Sequence, residues 1–116
     1  MTEPLRQSLD KITRVRGVRG ALLVTGDDGL IVADAVMDSV RGDAVAALGA
    51  NLATRMAKTC ECSGVGNLQF VHLQSVQGTL LVMPLAEEVV LVVIGDKDVN
   101  VGLVRLEMQG MAEVLP

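Results

Sequence analysis

Three short runs in this sequence, residues 21–24, 79–83 and 89–94, are apolar on both alternating faces, so strands formed from them must be covered on both sides. A sheet with such strands at its centre needs a layer on each face, and helices are the usual cover. The rest of the chain supplies them. Leu5, Leu9 and Ile12 recur at spacings of four and three, with Arg6, Lys11 and Arg14 off the stripe, which predicts a helix begun by Thr2 or Pro4 and stopped by Gly17. A second helix is expected from residues 41–43 to about Cys60, before the break at Ser63, Gly64 and Gly66. Val104, Met108, Met111 and Leu115 repeat at four, three and four, predicting a third helix capped by Asp98.

Between these helices the period drops to two. Val18, Leu22 and Val24 are expected on one face of the first strand and Ala21 and Leu23 on the other. A turn at Asp27, Asp28 and Gly29 leads into residues 30–36, where Asp34 interrupts an apolar face as suits a sheet edge. Leu68, Phe70 and His72 alternate with Gln69, Val71 and Leu73 in a third, mixed strand. Turns at Gln77 and Gly78, and at residues 84–88, separate the last two strands. The order is helix, two strands, helix, three strands, helix (αββαβββα), an α/β chain of the α+β kind whose hairpins imply a mainly antiparallel sheet. No repeat or linker divides it, so residues 1–116 are expected to form one domain.

The central helix carries two stripes. Val45, Leu48, Leu52, Met56 and Thr59 form the larger, which is expected to cover the sheet. Beside it run Ala46, Gly49 or Ala50, Ala53 and Ala57, whose small side chains would let a neighbouring helix approach closely. Alanine is also the strongest helix former, which accounts for the second stripe without any neighbour.

Half of the residues are apolar and the mean hydropathy is +0.45, so a membrane segment must be considered. The longest strictly apolar run, residues 89–94, is far below the roughly 18 residues a spanning helix needs. No secretory leader pattern opens the chain, which points to the cytoplasm. Cys60 and Cys62, two apart, suit reduced thiols there, because their side chains diverge. A net charge of −4 and a single aromatic residue, Phe70, argue against nucleic-acid binding, which favours basic surfaces and stacking rings. Within the first 19 residues Arg6, Lys11, Arg14, Arg16 and Arg19 outweigh Glu3 and Asp10, a local +3 against −7 for the remainder. A solvated helix face explains that excess most simply, with protein docking or a membrane surface as the alternatives.

Catalytic patterns are scarce. His72 is the sole histidine and no Ser, Cys, Asp or Lys forms a recognisable nucleophile motif with it, so no catalytic residue is assigned. A phosphate-binding G-x-x-x-x-G-K-[ST] loop is absent. Cys60 and Cys62 fall short of the four ligands of a structural zinc site. Asp96, Asp98, Asn100 and Glu107 fit positions one, three, five and twelve of a calcium loop, but Val101 stands at the turn glycine, and helix capping explains them more simply. No metal and no cofactor is expected.

Residues 17–24 (Gly-Val-Arg-Gly-Ala-Leu-Leu-Val), Asp28-Gly29-Leu30, the small-residue helix after Asp43, residues 79–85 (Thr-Leu-Leu-Val-Met-Pro-Leu) and residues 100–105 (Asn-Val-Gly-Leu-Val-Arg) together resemble the roadblock (dynein light chain type) family, on the side of its bacterial MglB-like and MglC-like members. The resemblance implies a five-stranded antiparallel sheet of order 2-1-5-4-3 flanked by three helices. It also implies a dimer, with itself or another roadblock protein, in which third strands join two sheets and central helices pack together. Carried onto this chain, Ala46, Ala50, Ala53, Ala57, Leu68, Phe70 and His72 become the expected interface. The family implies a platform for Ras-like small GTPases in polarity, motility or motor complexes that has no catalytic centre of its own and acts by holding the GTPase's catalytic elements in place. Arg55 and Lys58 are candidate partner contacts. That the sequence stops at Pro116, soon after the third helix, favours an adaptor over an activator. A small-molecule sensor or a structural subunit of a motor-type assembly is the competing class.

Overall fold

A computed structural model describes residues 2–25, 28–86 and 88–115. Asp27 of the first expected turn and Glu87 of the third lie outside them. The elements are α1 (Thr2–Thr13), β1 (Val18–Thr25), β2 (Ile31–Val36), α2 (Gly42–Cys62), β3 (Val71–Gln74), β4 (Thr79–Pro84), β5 (Val89–Gly95) and α3 (Val101–Val114). Every strand pairing is antiparallel, and the order is β2-β1-β5-β4-β3. Both expected edges, β2 and β3, are therefore edges.

Two apolar layers hold the sheet. On one face Leu9 and Ile12 of α1 and Val104, Met108 and Met111 of α3 pack on Ala21, Leu23, Leu81, Met83, Leu91 and Val93. On the other, α2 lies across Leu22, Val24, Val82, Val90 and Val92. The alternation along β1 divides Leu22 and Val24 from Ala21 and Leu23, as period two requires. Val18 breaks the expectation by packing with Ala21 and Leu23. Its cause is a register shift between Val18 and Gly20 against β5, since an extra residue reverses the facing of whatever precedes it.

Two further boundaries differ from the sequence-based expectation. Asn100, rather than Asp98, caps α3: its Oδ1 accepts from the Leu103 backbone N–H at 3.0 Å. The third strand begins at Val71, so Leu68 and Phe70 precede the ladder. Gly17, at φ +95°, turns the chain from α1 into β1, and its carbonyl accepts from Asp96 N–H at 2.7 Å. Arg19 reinforces the same end of the sheet, its Nε meeting Asp96 Oδ1 at 2.6 Å and its Nη2 the Gln77 carbonyl at 3.0 Å. Both side chains of that ion pair are largely solvated, so it contributes at most about 1 kcal/mol.

Candidate functional site

The orientation of α2 decides which surface this domain offers. Its sheet-facing residues are Ala46, Gly49, Ala50 and Ala53, all buried. This corrects the interface expected from sequence: Ala46, Ala50 and Ala53 are 0%, 2% and 5% exposed, spent against the chain's own strands and inaccessible to a neighbour. The physical reason lies across the gap. The sheet fills its α2 side with branched side chains, so the helix must supply small ones to lie close. A Cβ on Gly49 would stand 2.9 Å from Val92 Cγ2.

The larger stripe is displaced onto one shoulder of α2. Val45, Leu52 and Met56 are half-buried there and Leu48 is 70% exposed. Val45 and Leu52 pack against the rim of this core layer, as do the partly buried Val36, Val71, Leu80 and Ile94 of the strands. Sequence reasoning missed this surface by assigning the bulkier stripe to the sheet. The available signal was Gly49, because a glycine inside a helix usually marks a close approach.

The other expected interface residues are Ala57, Leu68, Phe70 and His72. Ala57 is exposed and lines a groove of about 420 Å³ with Ala53, Thr54, Lys58 and Glu61 on α2, Pro84 at the end of β4, and Leu85, Ala86 and Glu88 of the β4–β5 turn. Leu68 and Phe70 are half-buried ahead of β3, where the Arg105 guanidinium sits 4.5 Å from the Phe70 ring centroid. His72 is exposed on β3 itself. Of the candidate partner contacts, Arg55 is exposed with its Nε donating to Asn51 Oδ1 at 2.8 Å, and Lys58 opens onto the groove. Cys60 is half-buried and Cys62 exposed at the end of α2.

Asp96 and Asn100 are engaged by Arg19 and the α3 backbone, and among the described residues no group of three or more His, Cys, Asp or Glu could hold a metal ion. No helix among them is long and apolar enough to cross a membrane.

One long helix on one face of a 2-1-5-4-3 antiparallel sheet, and two helices on the other, define a roadblock-type α+β fold. The chain belongs to the Roadblock/LC7 domain family, whose model matches residues 5–95. It is 31% identical over 103 residues to the uncharacterized protein MJ1340 of Methanocaldococcus jannaschii, 89% of either chain. A solved structure described as MglB with tetrameric arrangement superposes with a TM-score of 0.84 at 26% identity, covering 97% of this chain and 85% of that one. Myxococcus xanthus MglB superposes with a TM-score of 0.85 at 21% identity, covering 96% and 90%.

Proposed function

We propose that this single-domain chain is a non-catalytic, homodimeric interaction module that binds a Ras-like small GTPase in the cytoplasm and regulates or scaffolds it, as adaptor or GTPase-activating partner, in a polarity or motility system. Membership of the roadblock family and the MglB-like fold support the class of partner. The observation that carries the assembly is the apolar shoulder Val45, Leu48, Leu52 and Met56, together with the free β3 edge. An apolar stripe of this kind left in water is costly, and a two-fold partner would cover helix and edge at once. The interface proposed is therefore the shoulder of α2 with His72 and Leu73 on β3, in place of the small-residue stripe.

Any effect on GTP hydrolysis would come from positioning in trans. The test mixes the purified chain with the Ras-like GTPase encoded nearest to it, loaded with GDP or a GTP analogue. A complex in one nucleotide state with unchanged hydrolysis is the adaptor outcome, and faster hydrolysis is the activator outcome. Absence of any complex in both states contradicts the proposal.

A further inference from the structure

The sheet has a second free edge, β2, at the end opposite β3. Four large apolar side chains cluster on it and its flanks: Leu30 at 62% exposed, Ile31 at 41%, Val32 at 52% and Met37 at 56%. They fall within eight consecutive residues. Around them Asp28, Asp34 and Asp38 are exposed; the flanking cations are Arg19, paired with Asp96, and Arg41.

The backbone at this edge is ordered to receive another strand. Met37 N–H donates to the Arg19 carbonyl at 3.0 Å, so with period two Ala35 and Ala33 also turn their backbone groups toward β1. The N–H and C=O of Asp34 and Val36 consequently face away from the sheet. A register shift opposite Leu23 and Val24 leaves Val32 unopposed and ends the regular edge there. Gly29, at φ +68°, wedges the β1–β2 turn against α2, where a Cβ would stand 2.7 Å from the Ala47 Cα.

We infer that β2 is a strand-addition site for an extended segment of a partner protein in which Lys or Arg alternates with aliphatic residues. The outward backbone groups of Asp34 and Val36 supply the hydrogen bonds, and the exposed Leu30, Ile31, Val32 and Met37 supply apolar contact. Asp34 sets the chemistry of the occupant. A carboxylate on an edge strand blocks pairing with purely apolar or acidic strands, because it would be desolvated without a partner. A cation directly opposite it on the added strand would lie at cross-strand distance, where opposite charges attract. Asp34 is exposed, so the pairing is sensitive to salt. Because β2 and β3 are opposite edges, the site is independent of dimerisation through β3.

The full-length chain would be titrated with a fluorescein-labelled octapeptide alternating Lys and Val, a matched Glu–Val peptide, and the Lys–Val peptide N-methylated at alternate residues. Anisotropy should show the Lys–Val peptide binding at least tenfold tighter than both controls, more weakly in high salt. Amide hydrogen exchange at Asp34 and Val36 should slow at least tenfold on binding. Asp34→Lys should reverse the Lys–Val over Glu–Val preference, and Asp34→Asn, which keeps the side-chain shape, should reduce it. Equal binding of the peptides, protection confined to β3 amides, or protection at Asp34 and Val36 that rises with protein concentration before any peptide is added would each overturn the assignment. The last outcome would place a second copy of the chain on the edge.

Discussion

Gly49 fixes how near α2 lies to the sheet. In an exposed helix, replacing glycine by alanine gains about 1 kcal/mol. Here the added methyl would meet Val92 Cγ2 at 2.9 Å, and Val92 is fully buried with a β-branched side chain that has little rotamer freedom. Overpacking of this kind costs about 1–3 kcal/mol, so packing outweighs propensity. Gly49→Ala is expected to lower unfolding free energy by about 1 kcal/mol net, read from the midpoint of a urea titration at unchanged slope. An equal or higher midpoint would mean that α2 sits farther from the strands than described.

The elements show what was legible in the sequence and what was not. Strand interiors could be read directly, because a residue run apolar at successive positions has few alternatives to a doubly covered strand. The order 2-1-5-4-3 came from the family resemblance, and the apolar runs agreed with it, since β1, β5 and β4 are the central strands. Facing was legible only where register stayed regular. The shift near Val18 reversed one residue, and Gly20, a glycine inside the strand pattern, is the local mark of such a bulge. For α2 the periodicity gave both stripes correctly but not which one touches the sheet, since that depends on the volume already filled by Val82, Val90 and Val92 from distant parts of the chain. The start of α3 was similarly ambiguous, with Asp98 and Asn100 both good caps. Only Asn100 accepts a backbone bond. Asn100→Ala should therefore destabilise the chain by about 1 kcal/mol, whereas Asp98→Ala should stay within about 0.5 kcal/mol of the parent in the same denaturation assay.

At the scale of the molecule, the high apolar content divides between two places. Most of it builds the two layers around the sheet. The remainder lies outside them, part of it on the shoulder of α2 and along β2 and part at Val65, Leu73, Val76, Leu103, Leu106 and Val114. These surfaces call for different partners: the shoulder, continuous with the rim of the core, suits a second copy of the chain, while the acid-flanked β2 edge suits an extended basic segment. Dimerisation through the shoulder is the central claim, and Leu48 tests it without disturbing the fold, because a side chain 70% exposed contributes little to monomer stability. The decisive measurement is sedimentation equilibrium at micromolar concentration on the parent chain and on Leu48→Glu, with circular dichroism to confirm equal folding. The account expects twice the mass of one chain for the parent and the mass of one chain for the variant. A parent that sediments as a monomer, or a folded variant that remains a dimer, would contradict it.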